Sequence, residues 1–263
     1  MAHAYDLSFG RLCAGAANSM LAPLGRPAPE GTRLLDAGTG TGAIAFAAGE
    51  LGFTVDAVDA EPTMVEYAET YRRHPRVSYA AERLPELTFG SDTFDAVTAN
   101  FVVNHTSDPL ASLEDLRRVM KPSAPLSVTI WPSDPGPLNN LWNSVIDAAG
   151  ARRPEGARLA PEKDFERTTR GVYSLMGRAG FVEATVSTVS WTFRIEPAAL
   201  WMAAEAGIAT IGATYLAQSD VVREKMRSAF AAITSAGRES GLLALRSTAI
   251  LGVAAAPMSS SPR

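Results

Sequence analysis

The stretch Leu34-Leu35-Asp36-Ala37-Gly38-Thr39-Gly40-Thr41-Gly42 decides the fold. Two leucines lead to a carboxylate, three glycines then alternate with small residues, and an alanine-rich run follows over 43–51. This order reads as a buried strand, a tight turn and the start of a helix. Glycine allows the sharp turn and lets the backbone approach a bound molecule closely. The helix start offers unpaired N–H groups to an electron-rich ligand. Asp36 lies inside the strand and needs donors, either the turn amides or, through water, a ligand ammonium.

Working outward, residues 53–59 read as a second strand with Asp59 at its carboxyl end. Pro62 suits the first turn of the next helix, which carries Met64, Val65, Tyr67 and Ala68. Further strands read at 77–80, 94–100 and 126–131. Between the last two, Asp108-Pro109 caps a helix with the face Leu110, Leu113, Leu116 and Met120, which stops before Lys121-Pro122. Strands alternating with helices predict an α/β fold with a doubly wound, mostly parallel sheet of seven strands. After Trp131 the rhythm breaks. Helical pieces read at 138–149, 165–180, 197–217 and 220–237, and the last two strands at 182–195 and 242–253. Residues 5–24 suggest one or two helices, 26–31 a rigid connector and 258–263 a disordered tail.

Composition narrows the function. Lys and Arg total 24 against 28 Asp and Glu, a net charge of -4, which gives no basic footprint for nucleic acid. The single cysteine, Cys13, excludes an intrachain disulfide and points to a reducing compartment, so a cytoplasmic location is expected. The N-terminal residues show no signal pattern, and the apolar run 198–217 contains Glu205 and two glycines, a poor membrane span. Three scattered histidines and one cysteine offer no metal-ligand spacing, so no metal is expected.

The glycine turn alone fits two chemistries. Gly38, Gly40 and Ala43 also satisfy a dinucleotide fingerprint, and Asp59 would hold a ribose diol in either case. Four downstream features separate them: Leu84-Pro85 after strand three, Phe94-Asp95 opening strand four, the segment from Asn100 to Pro109 closing it, and Lys121-Pro122 before strand five. Together with the turn and Asp59, this ordered set resembles the class I S-adenosylmethionine-dependent methyltransferases, in particular the small-molecule group called type 11. The resemblance covers residues 34–131 well and the rest in outline.

The resemblance implies roles. Gly38, Thr39, Gly40 and Gly42, with Asp36, would lie at the methionine part of the cofactor S-adenosylmethionine, and Asp59 would hold both ribose hydroxyls. Ala60 and Met64 would flank the adenine, with Ala81 and Glu82 along its edge. Asn100 and Phe101 would lie near the methionine and the sulfonium. Tyr5 would close over the cofactor, or else packs a helix. His105 would face the acceptor as general base and border the cofactor, or else caps its loop. Trp131, Trp201 and Tyr215 would line the acceptor. Ala80 departs from the family pattern, where an aspartate bonds the adenine amino group, and leaves backbone, stacking or a shifted Glu82 to hold it.

The resulting expectation is one methyltransferase domain over 1–263, with a helical cover at 1–30 and lid insertions at 132–164 and 197–219. The activity is metal-independent methyl transfer to a small, apolar or aromatic acceptor of the kind met in secondary metabolism. No nucleic-acid or membrane partner is expected, and a homodimer is left open. A cofactor-binding protein of cyclase type and a nicotinamide oxidoreductase are the rival readings.

Overall fold

The computed structural model describes residues 1–25, 28–156, 159–235, 238–239 and 241–258. Arg26 and Pro27 of the expected connector, Gly237 at the expected helix end and the tail 259–263 lie outside the described residues.

The strands are β1 (Arg33–Ala37), β2 (Thr54–Asp59), β3 (Val77–Ala81), β4 (Ala96–Asn100), β5 (Pro125–Ile130), β6 (Val182–Ile195), β7 (Arg238–Glu239) and β8 (Leu242–Ala255). They are ordered β3-β2-β1-β4-β5-β8-β6, with β7 paired to β8 off this path. The first five pair in parallel, and β8 runs antiparallel to β5. The seven expected strands are therefore present in a mostly parallel sheet, and the two-residue β7 is an addition that no sequence pattern announced. Parallel strands need cover on both faces, so their apolar residues come in near-continuous runs. Leu34, Leu35, Val55, Ala57, Val97, Ala99, Leu126 and Val128 are accordingly buried.

Contacts divide the chain into two compact units. The larger comprises Ala16–Ser133, Leu159–Val189 and Ala249–Arg263, and holds the first five strands with parts of β6 and β8. Its core sets Leu113, Leu116 and Val119 of the helix Pro109–Val119, and Val172, Leu175 and Met176 of the helix Thr169–Arg178, together with Leu35, Val97, Leu126 and Val128. That last helix starts later than expected because Thr168 caps it, its hydroxyl accepting the Gly171 amide at 3.0 Å.

The smaller unit comprises Met1–Gly15, Asp134–Arg158 and Ser190–Thr248. Aromatic contacts join its helices Pro137–Ala149, Pro197–Glu205, Ala209–Leu216 and Asp220–Ser235. Trp142 stacks on Phe230 at 5.1 Å, and Trp201 meets Tyr215 edge-on at 5.5 Å. The helices expected within 197–217 are Pro197–Glu205 and Ala209–Leu216. Gly207 turns the chain at a φ of 75°, and a Cβ on Gly212 would run into the Gly207 backbone. Among the described residues, no helix is long and apolar enough to cross a membrane.

The cap at Asp108 behaves as its sequence suggests: its carboxylate accepts the Ala111 amide at 3.0 Å, and Lys163 pairs with its other oxygen at 3.2 Å. Asp108→Ala is expected to cost about 1 kcal/mol in thermal or urea unfolding, and Asp108→Asn to recover most of it. Equal losses in both variants would assign the effect to the Lys163 charge pair instead of the cap.

Candidate functional site

Asp36 is fully buried near the carboxyl end of β1. Thr39 of the glycine turn donates its hydroxyl to one carboxylate oxygen at 2.7 Å, and Thr98 of β4 donates to the other at 2.8 Å. The Ala45 amide, in the first turn of the helix Ala43–Glu50, also donates to it. One side chain thus ties together a strand, its neighbour, the turn and the helix start. Burial raises its pKa to about 6 against the pull of these donors, and the nearby charge of Asp59 adds to the rise.

Asp59 ends β2 and reaches back to the turn. Its carboxylate accepts the Gly40 amide at 2.8 Å and the Glu61 amide at 2.9 Å, one on each oxygen. Burial raises its pKa too, against these amide bonds. Each carboxylate oxygen keeps acceptor capacity after one such bond, which suits a pair of adjacent hydroxyls. Gly38, Gly40 and Gly42 all have positive φ, at 69°, 55° and 83°. A Cβ on Gly42 would meet the Tyr79 hydroxyl at 2.7 Å, so this glycine lets the helix close onto β3. A Cβ on Gly38 would collide with Val102 of the loop after β4.

That loop carries the second half of the site. Asn100 ends β4, and Phe101 follows with φ at 55°, a left-handed conformation that costs a bulky residue roughly 1–2 kcal/mol. The Phe101 ring stacks on Trp131, just past β5, with centroids 3.9 Å apart and planes 11° from parallel. Thr129 of β5 donates its hydroxyl to Asn100 Oδ1 at 2.6 Å and receives the Phe101 amide at 3.0 Å. His105 closes a short 3-10 turn, Val103–His105. It is exposed at its edge but crowded, and desolvation, with the Arg167 charge behind it, lowers its pKa. Near neutral pH its imidazole is therefore uncharged and keeps one nitrogen as an acceptor. The neighbouring Asn104 has a buried side-chain oxygen without a hydrogen-bond partner among the described residues.

The structure brings Asp36, Gly38, Thr39, Gly40, Gly42, Asp59, Ala60, Met64, Ala81, Glu82, Asn100, Phe101, His105 and Trp131 into the larger unit. Ala81 pairs with Asp59 in register, and the Glu82 amide donates to the Asp59 carbonyl. The Glu82 carboxylate itself is bonded to the amide and hydroxyl of Thr88, so it also shapes its own loop. Ala60 is exposed and Met64 half-buried. Tyr5, Trp201 and Tyr215 belong to the smaller unit. Tyr5 packs there against Ala4, Ala203 and Ile208, and its hydroxyl contacts Cys13 at 4.0 Å. Trp201 donates its indole N–H to Glu205 at 2.9 Å, and Arg227 pairs with the same carboxylate, which accounts for this acid in an alanine-rich helix.

Thr98 and Thr129 are functional neighbours that the sequence reading missed. Their signal is polar alternation, Thr98 and Asn100 in β4 with Ser127 and Thr129 in β5, inside strands that should be apolar throughout.

Chemically, the site offers one buried and one half-buried carboxylate, a glycine turn and an aromatic pair at the carboxyl ends of parallel strands. That combination fits a ligand carrying a positive charge and a vicinal diol, as S-adenosylmethionine does. Among the described residues, no three His, Cys, Asp or Glu side chains converge as a metal site requires.

Comparisons with known proteins agree. The family model described as a methyltransferase domain matches residues 35–128. An uncharacterised methyltransferase, YodH of Bacillus subtilis, is 30% identical over 165 residues, covering 54% of this chain and 70% of that protein. A demethylmenaquinone methyltransferase of Renibacterium salmoninarum is 33% identical over 118 residues, 44% of this chain and 48% of its own length. The chain therefore matches less than half of that second relative. In fold, the chain resembles the Haemonchus contortus phosphoethanolamine N-methyltransferase 2 complex with phosphomonomethylethanolamine and S-adenosylhomocysteine. The TM-score is 0.58 at 20% identity, over 98% of this chain and 57% of that one.

The Asp36 environment predicts a pH signature. Its folded pKa of about 6 lies above the ordinary carboxyl value, so its charged form burdens the folded state fully above pH 6. The burden is relieved as pH falls from 6 towards 4, because the folded protein binds the proton first. Asp36→Asn never carries it. The unfolding free energy of the variant relative to the parent, from thermal or urea melts, should be most favourable at pH 7–8 and shift against the variant by pH 4, by up to about 3 kcal/mol. A difference that stays flat across this range would show that Asp36 is not held at a raised pKa.

Proposed function

This chain belongs to the class I S-adenosylmethionine-dependent methyltransferases, and on that premise we propose that it methylates a small, largely apolar or aromatic acceptor with His105 as general base. The observation that carries the acceptor reading is the stacked Phe101–Trp131 pair at the carboxyl ends of β4 and β5. A flat apolar surface there suits a planar acceptor and sheds water from the reacting atoms. The relative named for demethylmenaquinone, a quinone, supports an aromatic acceptor.

Bound S-adenosylmethionine supplies a methyl group already activated on a sulfonium, so the protein's task is alignment and desolvation. Asp59 accepts hydrogen bonds from the ribose hydroxyls while its other bonds hold Gly40 and Glu61 in place. Asp36 keeps the glycine turn in shape and contributes negative potential. His105, neutral because desolvation and Arg167 lower its pKa, accepts the proton leaving the acceptor at its unprotonated ring nitrogen. Asn104 provides an oxygen ready to receive an acceptor N–H or O–H. No metal is needed for these steps. The lone cysteine suits a reducing cytoplasm as the working compartment.

Calorimetric titration with S-adenosylmethionine and S-adenosylhomocysteine tests the cofactor assignments. Asp59→Ala should weaken both affinities by roughly tenfold to a hundredfold, the loss of charge-assisted hydrogen bonds, and wild-type affinity in the variant would remove Asp59 from the ribose site. The acceptor reading is tested by following S-adenosylhomocysteine release with a panel of quinols, catechols and phenols against polar amines. His105→Ala should lower turnover about a hundredfold or more while binding S-adenosylhomocysteine normally. Turnover should hold at pH values below the ordinary imidazole range before it falls. Full turnover in the variant would exclude His105 as base, and activity confined to the amines would overturn the acceptor class.

A further inference from the structure

Thr129 is buried in β5, directly opposite Asn100 of β4 in the sheet register. Its hydroxyl has one hydrogen to give and two lone pairs to receive. The hydrogen goes to Asn100 Oδ1 at 2.6 Å, with the Met20 sulfur a distant second acceptor at 3.8 Å. A lone pair receives the Phe101 amide at 3.0 Å, and the Thr129 carbonyl receives the same amide at 3.1 Å. One side chain thereby fixes the direction of the Asn100 amide and pins the backbone of Phe101 where that residue turns left-handed. The turned backbone in turn sets the Phe101 ring flat on Trp131.

We propose that Thr129 is a positioning residue for the cofactor, acting through Asn100 and Phe101 without touching the ligand. The inference rests on the placement of Asn100 and Phe101 at the cofactor. The hydroxyl does two things that no apolar residue of the same shape can do. It selects which end of the Asn100 amide faces away from β5, because the oxygen end is committed to Thr129. It also gives the Phe101 N–H a second acceptor at the point where a bulky residue would otherwise relax towards an ordinary conformation. Valine would fill the same space in the same β-branched shape, leave Asn100 Oδ1 without this donor, and leave the Phe101 amide without the hydroxyl acceptor. Serine would keep the hydroxyl.

The test compares Thr129→Val, Thr129→Ser and Asn100→Ala with the wild type, using S-adenosylhomocysteine calorimetry and amide hydrogen exchange in the ligand-free protein. Thr129→Val is expected to bind S-adenosylhomocysteine at least tenfold more weakly. It should also exchange the Phe101 amide faster by a similar factor while the β1 and β2 amides keep wild-type rates. Thr129→Ser should bind within about threefold of wild type, the cost of one lost methyl and not of the hydroxyl. General destabilisation would speed exchange throughout the sheet and would not be repaired by serine, so that pattern overturns the proposal. Wild-type affinity in Thr129→Val alongside weak binding by Asn100→Ala overturns it as well. Wild-type affinity in Asn100→Ala would instead sink the placement of Asn100 at the cofactor, and with it the premise.

Discussion

A carboxylate buried in the middle of a parallel sheet is the constraint on which this structure depends. Asp36 has no exposure, and its hydrogen-bond donors are two hydroxyls and a backbone amide. Neutral donors only partly offset the desolvation of a charge, which is why the pKa stays raised. In return, four pieces of backbone acquire fixed relative positions: β1, β4, the glycine turn and the first turn of the helix Ala43–Glu50. Asp59 repeats the arrangement from the next strand by gripping the Gly40 amide. The charge of Asp59 adds to the rise at Asp36 and that of Glu61 to the rise at Asp59, and a ligand bringing positive charge would relieve both. The turn is thus shaped for a cation as much as for a diol.

Much of this was legible in the sequence, for local reasons. Each strand–turn–helix unit announces itself within about a dozen residues: apolar run, glycine or Asx-Pro punctuation, helical spacing. Asp108 caps the helix its sequence position implied, and Asp59 sits at the strand end that its spacing from the turn implied. The expected helix at 165–180 started late because Thr168, an equally good cap, competes with the apolar residues before it. The run at 197–217 read as helices without marking where they divide, because alanine-rich sequence is helical in any register, and the close backbone approach of Gly212 on Gly207 shows where the chain turns.

The partners of the site residues were less legible, because they are set by register between strands far apart in sequence. Thr98 meets Asp36 across 62 residues, and Thr129 meets Asn100 across 29. No local pattern encodes those pairings. A general expectation does point to them: strands buried on both faces should carry no hydroxyls or amides without a reason. Thr98, Asn100 and Thr129 break that expectation in adjacent strands, and the structure supplies the reason for each. A polar residue at an alternate position of an otherwise apolar strand is better read as a question about its partner than as tolerated noise.

The two ends of the sheet show how the same residue type serves opposite purposes. At the amino end, Asp95 accepts the Arg33 amide at 2.9 Å and the Lys121 ammonium at 2.6 Å, and Arg33 pairs with Asp56 at 2.7 Å. Burial pushes the Asp95 pKa up, but the Lys121 bond and charge and the Arg33 amide outweigh it, and the net shift is downward. Asp95 therefore adds stability at neutral pH that is lost as acid protonates it. Near and at the carboxyl end, Asp36 and Asp59 face hydroxyls and amides, burial wins, and both pKa values rise. The amino end spends its charges on internal pairs and closes the sheet; the carboxyl side keeps its acceptors and its aromatic faces for a ligand. This asymmetry follows from strand direction: in a parallel sheet every turn into a helix opens at the same edge, so helix amino termini, strand-end acids and the loop after β4 collect there. On the proposed reading, a cofactor that is a cation at one end and a diol at the other would find its counterparts along that edge, where β4, β1 and β2 lie side by side.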